Sequence, residues 1–341
     1  MTTIALPTLP SSPPPDALTL GEIAELGAEV RALAAERNAV ILAHNYQLPE
    51  VQGVADYVGD SLGLSQHAAA TDAEAIAFCG VHFMAETASI LSPGKTVLLP
   101  DLGAGCSLAD AITADELRSW KAEHPGAVVV MYVNTSAEVK AETDYCCISS
   151  NAVQVVEHVR REHGDDVEIL FGPDMFLGAY VERVTGKRMR VWMGECHVHA
   201  GIRPSDIAAI RAEHPGADFL IHPECGCSTS VMEYVAAGDV EAEATHMLST
   251  GGMLRHARES DADTFVVATE TGMIHPLEVE NPDKRFVAAN REAVCVYMKM
   301  IMLSKLRDAL RDESGNYTVE VPPDVADRAR VPIERMVAIA P

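Results

Sequence analysis

Apolar and polar positions alternate along this chain in two rhythms. Ile23, Leu26, Val30 and Leu33 recur at helical spacing, and Thr19 with Glu22 forms a capping box just ahead of them, so the first element is a helix. It runs into AVILAHNY, a short apolar run with polar residues at its end that reads as a buried strand. VVVMYVN from Val128 and DFLIHPE from Asp218 have the same character. Such strands alternate with helical patterns along the chain, which implies an α/β fold with parallel sheets.

The pattern also repeats. AEHPGA occurs at 122–127 and again at 212–217, an offset of 90 residues, and a looser copy, AERNAVILAHNY, begins at Ala35. EVQGVADY at 50–57 matches EVKAETDY at 138–145, and each is followed four residues later by a serine, Ser61 or Ser149. ATHMLST at 244–250 is a worn third copy ending in Ser249 and Thr250. Three αβα modules with short parallel sheets follow. A pseudo-threefold triangle would bring equivalent residues to one centre. The modules are expected at 17–108 plus 297–341, at 109–197 and at 198–296. Residues 1–16 hold 5 of the 19 prolines and read as a flexible tail.

Cysteine belongs to the repeat. GKTVLLPDLGAGC ends at Cys106, GKRMRVWMGEC at Cys196 and DKRFVAANREAVC at Cys295, each 9 to 11 residues after a turn lysine. Packed around one axis, these three thiols would converge, as would the strand-end residues His44, Tyr132 and His222. Three thiolates without a fourth protein partner suit a zinc ion with an open position, or a 4Fe-4S cluster with one iron free to act as a Lewis acid. Spacing barely separates the two. Cys79, inside AIAFCGV, reads as core, and at least one of the adjacent Cys146 and Cys147 must be packing. Cys225 and Cys227 in ECGCS compete as ligands, but only one repeat carries them.

Composition narrows the partners. Lys and Arg number 26 against 50 Asp and Glu, a net charge of −24, so no basic stripe offers itself to nucleic acid or to an anionic membrane. The longest apolar run has seven residues (Ala127 to Val133), far short of a membrane span, and no export signal is apparent, so a cytoplasmic protein is expected. In that compartment a disulfide framework is not expected. Ser61, Ser149 and Thr250 stand where loops turn into helices. Capping alone accounts for such residues, while three helix N-termini around one cavity would also bind a small molecule with several carboxylates or phosphates. Asn134 and Glu224 join His44, Tyr132 and His222 at the strand ends, and Tyr46 lies two residues past His44. As a set they offer proton donors, acceptors and orienting hydrogen bonds. Glu270 and His275 are similar in type but have no repeat partner.

From about residue 20 to the C-terminus the chain resembles the quinolinate synthase family. The resemblance rests on ILAHNYQLPEVQ, ADYVGDS, HFMAE, MYVNTSAE, SSNAV, FGPD, HPEC, ATETGMIH and EAVCVYMK, in that order. It implies condensation of iminoaspartate with dihydroxyacetone phosphate to quinolinate, two waters and phosphate, in NAD biosynthesis. It also implies one 4Fe-4S cluster per chain on Cys106, Cys196 and Cys295. His44, Ser61, Tyr132, Asn134, Ser149, His222, Glu224 and Thr250 fall on positions that line the substrate pocket in that family. Tyr46, Glu224, Tyr132 and His222 are the candidates for catalysis, the first two for proton transfer. His199 falls on a family histidine near the cluster. An L-aspartate oxidase is the implied source of iminoaspartate. HPECGC departs from the family in lacking the proline after HPEC and in placing Cys227 nearby. An iron–sulfur redox sensor or a zinc-dependent lyase would use the same three cysteines.

Overall fold

The computed structural model describes residues 18–237 and 244–339, so the tail expected at 1–16 lies outside the described residues. Twelve strands form three four-stranded sheets, all parallel. The first holds β1 (Ala39–His44), β2 (Tyr57–Gly59), β3 (Ala75–Cys79) and β4 (Thr96–Leu98). The second holds β5 (Val128–Tyr132), β6 (Tyr145–Cys147), β7 (Ile169–Gly172) and β8 (Arg190–Val191). The third holds β9 (Asp218–Ile221), β10 (Thr245–Met247), β11 (Thr264–Ala268) and β12 (Arg285–Ala288). Within each sheet the second strand in sequence lies at one edge, then the first, third and fourth. Helices flank each sheet, so the three αβα modules read from the repeats are the modules of the fold.

The copies of AEHPGA explain themselves locally. Each ends a helix in a turn whose glycine, Gly126 or Gly216, has φ of +89° or +85°, a conformation glycine adopts without a Cβ clash. In the looser copy Asn38 takes that place with φ of +48°, and asparagine is among the few other residues that tolerate it. The first helix spans Leu20–Glu36 with Thr19 and Glu22 in the predicted reciprocal cap.

The register sets the strand ends. His44 pairs with Gly59 and Tyr132 with Cys147 as the last rungs of their ladders, and the Leu248 amide bonds Ile221 just before His222. Ser61, Ser149 and Thr250 each follow two residues after the partner position, so all three sit at the carboxyl ends of their sheets, where α/β proteins place ligands. None of them is a helix cap, which corrects that reading. Asp60 and Ser249 cap the helices Ser61–Ala70 and Thr250–Glu259 by accepting from Gly63 and Gly252 amides, and Asn151 stands at the cap position of Ala152–His163. The caps lie one residue before, or two after, the serines and threonine, and those side chains are left for other partners.

Two features go beyond the repeat. Where the first two modules have the single turns Pro49–Gln52 and Ala137–Lys140, the described residues of the third hold a ten-residue helix, Ser228–Ala237. After the third module the chain returns to the first: the helix Leu303–Arg311 packs on Leu20–Glu36, and the Leu99 amide bonds Tyr317 beside β4. The last helix, Pro323–Ala338, packs on β6 and on the helices His82–Leu91 and Ala137–Lys140. It therefore lies across the first and second modules, and Asn151 donates to its closing carbonyls, Met336 and Ile339. Among the described residues no helix is long and apolar enough to cross a membrane.

Candidate active site

The carboxyl ends of the three sheets meet around one cavity, with about 730 Å³ of empty space counting its open mouth. His44, Tyr46 and Ser61 line it from the first module; Tyr132, Asn134 and Ser149 line it from the second. His222, Glu224 and Thr250 come from the third. Cys106, Cys196 and Cys295 lie on the same wall system. All twelve residues singled out from the sequence are therefore brought together. The other cysteines are not: Cys79, Cys146 and Cys147 are fully buried in β3 and β6.

Cys225 and Cys227 are also fully buried and do not line the cavity; their sulfurs are bonded to each other. Their place outside the cavity agrees with the repeat, which argued against them as ligands, and the bond is one local pair, not a disulfide framework. The tight turn after β9 brings their Cα atoms to 5.2 Å, inside the usual disulfide range, with Gly226 closed against Ala200 so that no larger residue fits between.

Two strand-end side chains are fixed by their own backbones. His44 Nδ1 accepts from the Tyr46 amide at 3.1 Å, and His222 Nδ1 from the Glu224 amide at 3.4 Å, the same two-residue device in two modules. With Nδ1 accepting, the proton belongs on Nε2, which in His222 lies 3.2 Å from Ser149 Oγ. Burial, then neighbouring positive charge, pushes the His44 pKa down to about 3 and that of His222 well below the usual range, so both rings are neutral donors. Tyr132 Oη donates to Glu224 Oε1. Burial raises the Glu224 carboxyl to about 7, poised to hold or release a proton near neutrality.

A second chain of contacts was not legible in the sequence. Tyr46 Oη lies 2.5 Å from Thr269 Oγ1 and 3.2 Å from His199 Nε2, and His199 Nδ1 lies 3.2 Å from Cys196 Sγ and 3.4 Å from Glu224 Oε2. Burial also holds His199 down to about 3. Glu270, fully buried, accepts from the Cys295 amide at 3.1 Å and pairs with Lys299 at 3.1 Å, and Lys299 in turn donates to the Tyr46 carbonyl. These partners come from unrelated places in the repeat, so no periodicity announces them.

The thiols respond to their surroundings in one direction. Burial pushes Cys106 up to about 12, Cys295 to about 11 and Cys196 well above the ordinary range, and nearby acidic groups and fellow thiols add to it. Opposing this, backbone N–H groups of Leu108 and Ala109 face Cys106, those of Tyr297 and Met298 face Cys295, and that of His199 faces Cys196. Such donors suit thiolate sulfur, but only a bound cation would hold three thiolates here. Cys196, His199 and Glu224 also place one ligand atom each within 4.8 Å of one another. No lysine or arginine lines the cavity among the described residues, so an anion entering it meets neutral N–H and O–H donors.

Fold and site together define a three-module α/β enzyme whose cavity is shared by all modules and carries a cysteine-containing candidate metal site. The family model described as quinolinate synthetase A protein matches residues 28–338. A quinolinate synthase of Mycobacterium sp. (strain KMS) is 56% identical over 316 residues, 92% of each chain. One from Thermus thermophilus is 55% identical over 314 residues, 92% of this chain and 97% of its own. One from Mycobacterium tuberculosis is 55% identical over 313 residues, 92% of this chain and 88% of its own. The chain belongs to the quinolinate synthetase A protein family, the enzymes of NAD biosynthesis named quinolinate synthase.

Proposed function

We propose that the chain is a quinolinate synthase that joins iminoaspartate to dihydroxyacetone phosphate, giving quinolinate, phosphate and two waters. The observation that carries this reading is the meeting of three thiols, one from each module, in the same cavity as the strand-end donors. Cys106, Cys196 and Cys295 would hold a 4Fe-4S cluster, which fits the backbone N–H groups facing each sulfur. When bound, such a cluster supplies a Lewis-acidic iron without a protein ligand, which eases the departure of hydroxyl as water.

The chain's own residues account for the remaining roles. Ser61, Ser149 and Thr250 through their hydroxyls, and Asn134 through its side-chain N–H, hold carboxylate and phosphate oxygens. His44 and His222 present Nε2–H donors and orient the anions without carrying a charge themselves. Glu224, as the carboxylate held by the Tyr132 hydroxyl, takes a proton from the carbon that becomes nucleophilic and returns it to a leaving hydroxyl. Tyr46, held by Thr269 and His199, offers its hydroxyl proton to the cavity, with His199 standing between it and Glu224. The helix ends and neutral rings explain how a chain of net charge −24 accepts two anionic substrates: recognition is local. We place the enzyme in the cytoplasm, with an aspartate-oxidising enzyme supplying iminoaspartate.

Mössbauer spectroscopy with iron and sulfide counting, on protein purified without oxygen, tests the reading together with a quinolinate assay. A cubane signal in which one iron responds to added quinolinate supports it. Zinc in place of iron, in protein that also resists cluster reconstitution, would favour a mononuclear site on Cys196, His199 and Glu224 and overturn the cluster. A Cys106→Ala protein that keeps activity without iron would equally sink the proposal.

A further inference from the structure

A second group of metal-binding side chains lies at the opposite end of the third sheet. Asp218 opens β9, His246 stands in the middle of β10, and His256 projects from the helix Thr250–Glu259. Asp218 and His222 are four residues apart on one strand, about 13 Å at the usual rise, so this group is separate from the cavity. It also does not depend on what the cavity binds.

All three side chains converge on one atom. His256 Nε2 lies 3.1 Å and His246 Nε2 3.7 Å from Asp218 Oδ2, and the two rings overlap with centroids 3.8 Å apart. The three ligand atoms lie within 4.8 Å of one another. Ligand atoms around a tetrahedral zinc ion, at zinc–nitrogen distances of about 2.0–2.1 Å, are roughly 3.3 Å apart, so the two measured separations bracket the required one. A hydrogen-bonded cluster alone explains only part of the arrangement. It satisfies His256 and Ser260, whose hydroxyl donates to the same Asp218 oxygen at 3.0 Å, but leaves the buried His246 Nε2 without a hydrogen-bond partner.

The environment favours a cation with imidazole ligands. Ser260 would orient the carboxylate from behind, and the Phe265 ring meets His256 edge-on at 6.3 Å and fixes its plane. Side-chain exposures of 23%, 15% and 25% for His246, Asp218 and His256 leave room for water at the remaining position. Two cations stand nearby and are engaged elsewhere: Arg211, stacked on Phe219 and bonded to Thr245, and Lys284, bonded to the Ala257 and Ser260 carbonyls.

We propose that Asp218, His246 and His256 form a structural site for a divalent transition ion of the zinc class. Two imidazoles and one carboxylate suit zinc rather than magnesium or calcium, which prefer oxygen. Binding replaces the His256 Nε2–H contact with Asp218, and the ring exchanges that proton through solvent for one on Nδ1, so it ligates as a neutral imidazole. The ion would tie β9, β10 and the helix that presents Thr250 to the cavity, so its effect is on the stability of the third module.

Zinc added to anaerobically prepared, iron-containing protein, followed by gel filtration, metal counting and X-ray absorption at the zinc edge, tests this. The expected result is one retained zinc per chain with a nitrogen and oxygen shell, an imidazole signature, no sulfur scatterer and a higher Tm. His246→Gln and His256→Gln should each lose that zinc and the Tm rise, with native circular dichroism and unchanged iron. A sulfur shell, an oxygen-only shell or no retained zinc in the wild type overturns the site, and that measurement stands even where a variant fails to fold. Retention of the same zinc and shell in both folded variants overturns it as well.

Discussion

At the scale of single residues, the proposed reaction assigns some groups of the cavity to holding substrate and others to moving protons. Glu224 is buried, bonded to Tyr132 and raised to about 7, so replacing it with glutamine keeps the shape and removes the proton site. Glu224→Gln is expected to lower kcat by about 10²-fold or more with little change in KM, measured by steady-state quinolinate formation. Tyr132→Phe should cost less, because the carboxyl remains and only its donor is lost. The repeat made His44, Tyr132 and His222 legible, since each closes an equivalent strand. It could not reveal His199, Thr269 or Lys299, whose roles come from contacts such as Tyr46 with Thr269 across 223 positions of sequence. Pairings of that kind are set by how modules dock, and no local pattern encodes them.

At the scale of elements, neighbouring residues at one helix end divide two tasks. Ser249 caps the helix Thr250–Glu259, while Thr250, next to it, lines the cavity and accepts from Asn45 Nδ2 at 3.0 Å. Ser249→Ala should therefore lower stability by about 1 kcal/mol and leave KM nearly unchanged. Thr250→Ala should do the reverse, raising KM with little effect on Tm; thermal unfolding and kinetics on the two variants separate the effects. From sequence the whole serine and threonine set could be read as caps, because position alone cannot tell the cap residue from the one after it. Strands and their order were more legible. A buried parallel strand must be a continuous apolar run, and the positive φ at Gly126, Gly216 and Asn38 marks the same turn three times.

At the scale of the whole molecule, the last helix holds modules together rather than completing one. Pro323–Ala338 crosses from the helix His82–Leu91 to β6, and Asn151 bonds its end. A chain ending at residue 321 is expected to lose iron and quinolinate formation together and to unfold at lower temperature, as metal counting and circular dichroism would show. The sequence grouped this segment with the first module because it follows the third repeat and matches none. Its place in the seam is a matter of docking, which the repeat does not describe.

The positions of Cys106, Cys196 and Cys295, one thiol in each module, have a consequence for how the protein comes into being. During synthesis, each sheet can pair its strands from nearby sequence, but the first thiol must wait for two more modules before its partners exist. As the proposed cluster site, the three thiols would behave as a logical conjunction: two correctly formed modules and one failed one would give not a weaker site but no three-sided site at all. Colour from bound iron, where it appears, would then report that the entire chain has assembled, and a quality check on expressed protein could be made by eye before any assay.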